Sequence, residues 1–267
     1  MQRDTVQTDN TIEVKNLVTY YGDRVIIKNA TVSIPRAQTT VIVGGSGSGK
    51  TTILRHLIGL LKPRSGEILI NGVDIVNLND QQLDDKRKKM GVLFQGAALL
   101  NSFTLAENVA LPLREHTKLK DSVIGIMVRM KLDLVGLSGF DNFYPSQLSG
   151  GMKKRAGIAR AMAMDPEILF FDEPSAGLDP VTAAGLDELI NKLNKVFKIT
   201  VVVVTHELPS IFKIADYVIM LDSGDVIFAG TLEEFKESEI PKVRTFLERT
   251  PNEETQSQDD YFKVIAG

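Results

Sequence analysis

Apolar positions at the start of the chain are spaced by polar ones, at Ile12, Val14, Leu17 and Val18, which predicts a strand. Tyr20-Tyr21-Gly22-Asp23 reads as a turn, and residues 24–27 and 30–34 read as two more short strands closed by Pro35. Together these make an antiparallel β meander. Residues 39–43 are β-branched and run into glycines, the mark of a strand buried on both faces. The spacing then changes. Ile53, Leu54, Leu57, Ile58 and Leu61 predict a helix over 50–61, and 65–72 reads as a strand between turn signals. Lys86-Arg87-Lys88-Lys89 reads as a solvated helix face and 91–95 as a short apolar strand.

From about residue 100 to 164 helical spacing dominates, which predicts an inserted helical subdomain. Three strand-sized apolar runs follow, at 168–171, 200–204 and 217–221, with a long helix over 181–197 between the first two. Strand and helix in alternation predict an α/β fold with a mostly parallel core sheet. Helical character returns over 232–249, 250–260 is polar and acidic, and 261–265 is apolar again. The expected division is a main domain over 1–235, carrying the inserted helical block, and an extension over 236–267 whose end, Tyr261 to Ile265, docks on a neighbouring subunit. No internal repeat is visible.

Composition narrows the chemistry. The 267 residues include no Cys, so disulfides, thiolate metal sites and cysteine nucleophiles are excluded. No run reaches the roughly 18 apolar residues of a membrane-crossing helix. The net charge of −3 lacks the basic excess of a nucleic-acid binder, so no nucleic-acid partner is expected.

The strongest local signal is Gly44-Gly45-Ser46-Gly47-Ser48-Gly49-Lys50-Thr51, followed by Thr52. It fits G-x-x-x-x-G-K-[ST] between a predicted strand and a predicted helix, the setting of a P-loop. Glycines let main-chain N–H groups wrap phosphates, and the helix N-terminus adds positive potential. Lys50 would bridge β- and γ-phosphate oxygens and Thr51 would ligate Mg²⁺. Ile168-Leu169-Phe170-Phe171-Asp172-Glu173-Pro174 is an apolar strand ending in two carboxylates, with Asp172 expected on Mg²⁺ and Glu173 as general base for the attacking water. Leu148-Ser149-Gly150-Gly151-Met152 heads a predicted helix and forms a second anion site, although Ser149 would also serve as a plain helix cap.

This order of motifs resembles an ABC-transporter ATPase over nearly the whole of residues 12–230. The resemblance implies a P-loop NTPase fold, ATP as substrate and Mg²⁺ as cofactor. It places Gln95 in the Q-loop as a further Mg²⁺ contact, Asp179 in the D-loop Ser175-Ala176-Gly177-Leu178-Asp179, and His206 as the switch histidine on the γ-phosphate. Tyr21 matches the aromatic that stacks on adenine, with Tyr20 as the alternative. The signature L-S-G-G-x ends in Met152 where Gln is usual. One set of motifs implies a composite site built by two copies, in which Ser149, Gly150, Gly151 and Asp179 of one face the nucleotide held by Lys50 of the other. His56 and His116 have no such placement and are expected to be packed or surface residues.

Gly96-Ala97-Ala98-Leu99-Leu100, Pro112-Leu113-Arg114-Glu115-His116-Thr117 and the Met-ended signature are similar to the ATPases of the Mla-type, MCE-associated lipid transporters. That likeness implies a phospholipid-moving complex at the cytoplasmic face of a bacterial inner membrane. Its partners would be an integral-membrane permease, a periplasmic MCE-domain protein and a cytoplasmic STAS-domain protein. The same catalytic motifs also suit a lipoprotein exporter, an amino-acid importer or a soluble ABC ATPase.

Overall fold

The computed structural model describes residues 9–248; the expected docking segment, Tyr261 to Ile265, lies outside them. The strands are β1 (Asn10–Tyr21), β2 (Arg24–Pro35), β3 (Thr39–Gly44), β4 (Ser65–Ile70), β5 (Val73–Asp74), β6 (Met90–Leu93), β7 (Ile168–Asp172), β8 (Thr200–Val204), β9 (Tyr217–Asp222) and β10 (Asp225–Thr231). The helices are α1 (Lys50–Leu57), α2 (Asp80–Arg87), α3 (Leu105–His116), α4 (Asp121–Leu134), α5 (Gly150–Ala161), α6 (Pro180–Phe197), α7 (Leu208–Ile214), α8 (Leu232–Glu237) and α9 (Pro241–Glu248).

Two sheets organise the chain. The central one runs β10-β9-β3-β8-β7-β6, all neighbours parallel except the β9–β10 hairpin. The other is antiparallel, in the order β2-β1-β4-β5. Successive side chains of a strand face opposite ways, so the central strands feed two cores. Val41, Val43, Leu169, Phe171, Val201 and Val203 pack with α3, α4, α5 and α6. Ile42, Ile168, Phe170, Val202 and Val204 pack with α1 and the antiparallel sheet. Each such fully buried side chain stabilises the fold by roughly 1.5–3 kcal/mol. The α/β architecture with a mostly parallel core sheet and an antiparallel meander is the expected one, and α3, α4 and α5 occupy the stretch expected to be helical.

Two local expectations are corrected. The segments 24–27 and 30–34 form one strand, β2, because pairing with β1 continues across the polar Lys28-Asn29, where β2 carries an extra residue between the Leu17–Ala30 and Thr19–Ile27 pairs. The helix over 50–61 stops at Leu57, with Ile58 as its cap and Gly59 at φ 71° turning the chain away. The helical character expected over 232–249 is met, within the described residues, by α8 and α9, the second opening on Pro241.

His56 on α1 is fully buried and satisfied. Its Nδ1 donates to the Leu61 carbonyl at 2.7 Å, since a carbonyl can only accept, and its Nε2 then accepts from the Thr19 hydroxyl at 2.6 Å. Burial pushes its pKa below the ordinary value, with the Leu61 carbonyl opposing. Below about pH 6.5 the unfolded chain takes up a proton that the folded one refuses, so stability is lost as the pH falls, by up to about 1.4 kcal/mol per pH unit from this residue. Urea unfolding between pH 7.5 and 5.5 tests this: His56→Gln flattens the fall, and an unchanged slope would remove His56 from the account.

Candidate active site

The parallel strands end at one edge of the central sheet, and the chemistry gathers there, as ligands do outside the carboxyl ends of such strands. Strand register makes the convergence explicit. Gly44 ends β3 opposite Leu221 of β9, Asp172 ends β7 opposite Val204 of β8, and Leu93 of β6 lies beside Phe171 of β7. The next residues along these strands are the loop 44–49, His206, Glu173 and Gln95.

The loop is held by close packing. A Cβ on Gly44, at φ 146°, would stand 2.2 Å from the Leu221 carbonyl oxygen and 2.7 Å from Ser48 Oγ, so no side chain fits there. The Ser48 hydroxyl is buried with no partner, and α1 follows Gly49 at its N-cap with no side chain capping its first amides. Lys50 Nζ donates to the Gly44 and Gly45 carbonyls, each at 2.8 Å. An ammonium has three N–H donors, which leaves one for a ligand oxygen. Burial lowers the Lys50 pKa, while Glu173 and Asp172 oppose the shift.

Glu173 follows β7 in the left-handed region, at φ 48°. Its amide donates to the Val204 carbonyl at 2.9 Å. His206 Nδ1 donates to Glu173 Oε1 at 2.8 Å, and Glu173 Oε2 is buried with no partner. Non-glycine residues in this conformation cost energy and mark functional positions when the surroundings enforce them. Burial raises the Asp172 pKa, and the charge of Glu173 adds to this, while Arg55, Lys154 and Lys50 oppose.

Of the clefts beside the loop, two gather the candidate residues. Gly44, Gly45, Ser46, Lys50, Glu173 and His206 line one of about 570 Å³. Tyr21, Gly47, Gly49, Lys50, Thr51 and Thr52 line the other. The structure thus brings Tyr21, the loop, Glu173 and His206 around Lys50. Ser149, Gly150, Gly151 and Asp179 line neither cleft. Ser149 caps α5, its Oγ accepting from the Met152 amide at 3.2 Å, so the plain capping role is realised in this chain. A Cβ on Gly151 would stand 2.4 Å from Thr182 Cγ2, which fixes that position as glycine where α5 meets α6. Asp179 caps α6 through the Val181 and Thr182 amides at 3.1 and 3.0 Å, and hydrogen bonding from Thr182 lowers its pKa.

The donor set suits a nucleotide with a hard cation. Thr51, Gln95 and Asp172 offer a hydroxyl, an amide and one carboxylate, too few to hold a metal alone; Mg²⁺ is usually held by one or two carboxylates together with phosphate oxygens and water. No cluster of three or more His, Cys, Asp or Glu able to hold a metal occurs among the described residues. Two features escaped the sequence reading. Lys242, Thr245 and Phe246 of α9 complete the larger cleft. Lys154 reaches in from α5, and its only signal was a Lys three residues after Gly151 and four before Ile158, on the buried face of that helix.

The profile of the ABC transporter family matches residues 27–176. The chain is 44% identical over 238 residues to the intermembrane phospholipid transport system ATP-binding protein MlaF of Haemophilus influenzae, spanning 89% of this chain and 90% of that protein. It is 44% identical over 236 residues to the probable ribonucleotide transport ATP-binding protein mkl of Mycobacterium leprae, spanning 88% and 68%. Among solved structures, a dimeric ATP-binding cassette in a post-hydrolysis state bound to ADP and Pi matches with a TM-score of 0.76 and 34% identity, over 83% of this chain and 98% of that one.

Proposed function

This chain belongs to the ABC transporter family, and we propose that within it the chain is the ATP-hydrolysing subunit of a phospholipid transporter working between bacterial inner and outer membranes. The observation that carries the hydrolytic part is the Glu173–His206 pair at 2.8 Å, in one cleft with Lys50 and the phosphate-binding loop. The 44% identity to a phospholipid transport ATP-binding protein, over 90% of its length, supports the substrate class.

In this reading the main-chain amides of 45–51 and the Lys50 ammonium hold the phosphates, and Tyr21 stacks on adenine beside Thr51 and Thr52. Thr51, Gln95 and Asp172 would hold Mg²⁺, which when bound neutralises charge on the β,γ-phosphate oxygens. Glu173 takes a proton from the attacking water as its oxygen bonds to the γ-phosphorus. The bond from that phosphorus to the β–γ bridging oxygen breaks, and ADP and phosphate leave. His206 orients the Glu173 carboxylate and contacts the γ-phosphate.

The site is completed by Ser149, Gly150, Gly151 and Asp179 of a second copy, so ATP joins two chains and hydrolysis releases them. Residues 1–235 form the nucleotide-binding domain with the helical subdomain inserted over about 100–164, and 236–267 form an extension. No helix among the described residues is long and apolar enough to cross a membrane. In this reading the chain acts peripherally, on the cytoplasmic face of the inner membrane, against an integral-membrane permease. An MCE-domain periplasmic protein and a STAS-domain cytoplasmic protein complete the complex, and no nucleic acid takes part.

Affinity purification from detergent-solubilised membranes, with identification of co-purifying proteins and lipids, tests this. A permease with an MCE-domain protein and bound phospholipid is the expected result. A nucleotide-binding permease complex instead would favour a ribonucleotide transporter, the function named for the mycobacterial relative. Full activity with no membrane partner would overturn the transport reading.

A further inference from the structure

Lys154 is 5% exposed, on a helix with ample surface to offer a lysine. Lysines are almost never buried unless paired, and removing an ammonium from water costs several kcal/mol. Among the described residues no carboxylate lies within ion-pair distance of it. Its amine donates instead to two main-chain carbonyls, that of Gln95 and that of Glu173 at 3.2 Å. Those carbonyls follow the ends of β6 and β7, where the candidate metal ligand and the candidate general base stand.

A second side chain of α5 works on the same loop. Arg160 donates to the Ala98 and Ala97 carbonyls at 2.7 and 2.9 Å. Ala97 and Ala98 both sit at positive φ, 59° and 48°, as Glu173 does at 48°. Left-handed alanine costs roughly 1–2 kcal/mol per residue, so contacts from elsewhere must hold these conformations. The start of α5, capped by Ser149, thus lies on one rigid helix with the two side chains that hold the loop after β6 and the main chain of Glu173.

We infer that Lys154 is a positioning residue for hydrolysis: its amine fixes the main chain of Glu173 and Gln95 to α5, so the Glu173 carboxylate is aligned for the attacking water only while that helix is seated. The inference rests on the ATPase reading above. It adds a consequence for the two-copy site. The Ser149 end of α5 faces the nucleotide of the other copy, while Lys154 on the same helix holds the base of its own copy. One helix therefore links the two sites mechanically.

The test is steady-state ATPase activity of the purified full-length chain, with nucleotide affinity and thermal midpoint measured in parallel. Lys154→Met keeps an unbranched side chain one atom shorter and removes the donor and the charge. The fold tolerates it, because Glu173 O still accepts from the Ala176 amide at 3.2 Å and the cost of burying a charge disappears. The expected result is a kcat lowered by roughly 10–100-fold, the scale of a misplacement of about 1 Å, with KM, nucleotide affinity and thermal midpoint retained. Lys154→Arg, which supplies several N–H donors and the charge, restores most of the turnover.

An unchanged kcat in K154M overturns the inference. So does a fall in midpoint and affinity that tracks the loss of turnover and is not relieved in K154R. If K154M does not fold, K154Q keeps an amide donor without charge and is expected to show the same kcat-only loss in smaller measure; normal turnover there overturns the inference equally. Wild type is the control for the underlying reading: if it turns over ATP no faster than Glu173→Gln, the hydrolytic assignment fails and the role of Lys154 falls with it.

Discussion

Lys50→Ala leaves a folded chain that binds ATP at least about 100-fold more weakly and does not turn it over measurably. The size follows from the number of terms lost together. A hydrogen bond to a charged group contributes about 1.5–3 kcal/mol, and each 1.4 kcal/mol is a factor of about ten in affinity. Lys50 also offsets the two carboxylates that end β7. Both raise its pKa against burial, and it in turn holds Asp172 down. With the ammonium gone, the phosphates approach Asp172 and Glu173 with less positive charge between them. The loop loses the ties from Nζ to the Gly44 and Gly45 carbonyls, but Gly44 remains wedged against Leu221 and Ser48. Alanine is the best helix former at the first residue of α1, so the ligand-free thermal midpoint should hold. Calorimetric titration with a non-hydrolysable ATP analogue measures the effect. Affinity within a few-fold of wild type would mean that the amides of the loop carry the phosphates alone.

What could be read from the sequence was what is local in it. The phosphate loop declares itself because strand, glycine-rich turn and helix follow within a dozen residues of one another, and each part carries its own signal. The end of β7 declares itself likewise, as an apolar run stopping at Asp172-Glu173. The helix read over 181–197 is met by α6, which starts one residue earlier, at Pro180, behind the Asp179 cap. The errors arose where distant contacts decide. Nothing within 24–35 says that Lys28 and Asn29 continue a strand; a bulge on β2 opposite Leu17–Thr19 absorbs the mismatch. Ile58 keeps helical spacing past the true end of α1, since the core beneath it asks for an apolar side chain whatever the backbone does.

The site shows the same limit. His206 lies 33 residues beyond Glu173, and the resemblance to a family suggested the pair before geometry joined them. Lys154 left no trace beyond its place on the buried face of α5, because its partners are main-chain carbonyls 59 and 19 residues away, and any residue type supplies a carbonyl. The α9 wall of the larger cleft is a tertiary placement with no motif behind it, anchored by fully buried Val243 and by Phe246 against Phe235.

Glu173→Gln is expected to separate what Lys50→Ala removes together: ATP binding is kept and turnover falls by roughly 10²–10⁴-fold, the contribution of a placed general base. Glutamine has nearly the same shape, and its amide oxygen accepts from His206 Nδ1 where Oε1 does now, at 2.8 Å. The left-handed main chain stays held by the Val204 carbonyl and by Lys154. What disappears is the ability to take up a proton from water. Binding should tighten slightly, since one negative charge leaves the neighbourhood of the phosphates and of Asp172, whose pKa Glu173 now helps to raise. If ATP joins two copies, a chain that cannot hydrolyse it should accumulate as a dimer, because nothing then depletes the ligand that favours the closed state. Size-exclusion chromatography with light scattering, run with and without Mg-ATP, reads this directly beside a phosphate-release assay. Turnover within tenfold of wild type would remove Glu173 as the base. A dimer equally abundant without ATP would sever nucleotide binding from assembly, and with it the argument that the Ser149 end of α5 meets the nucleotide of another copy.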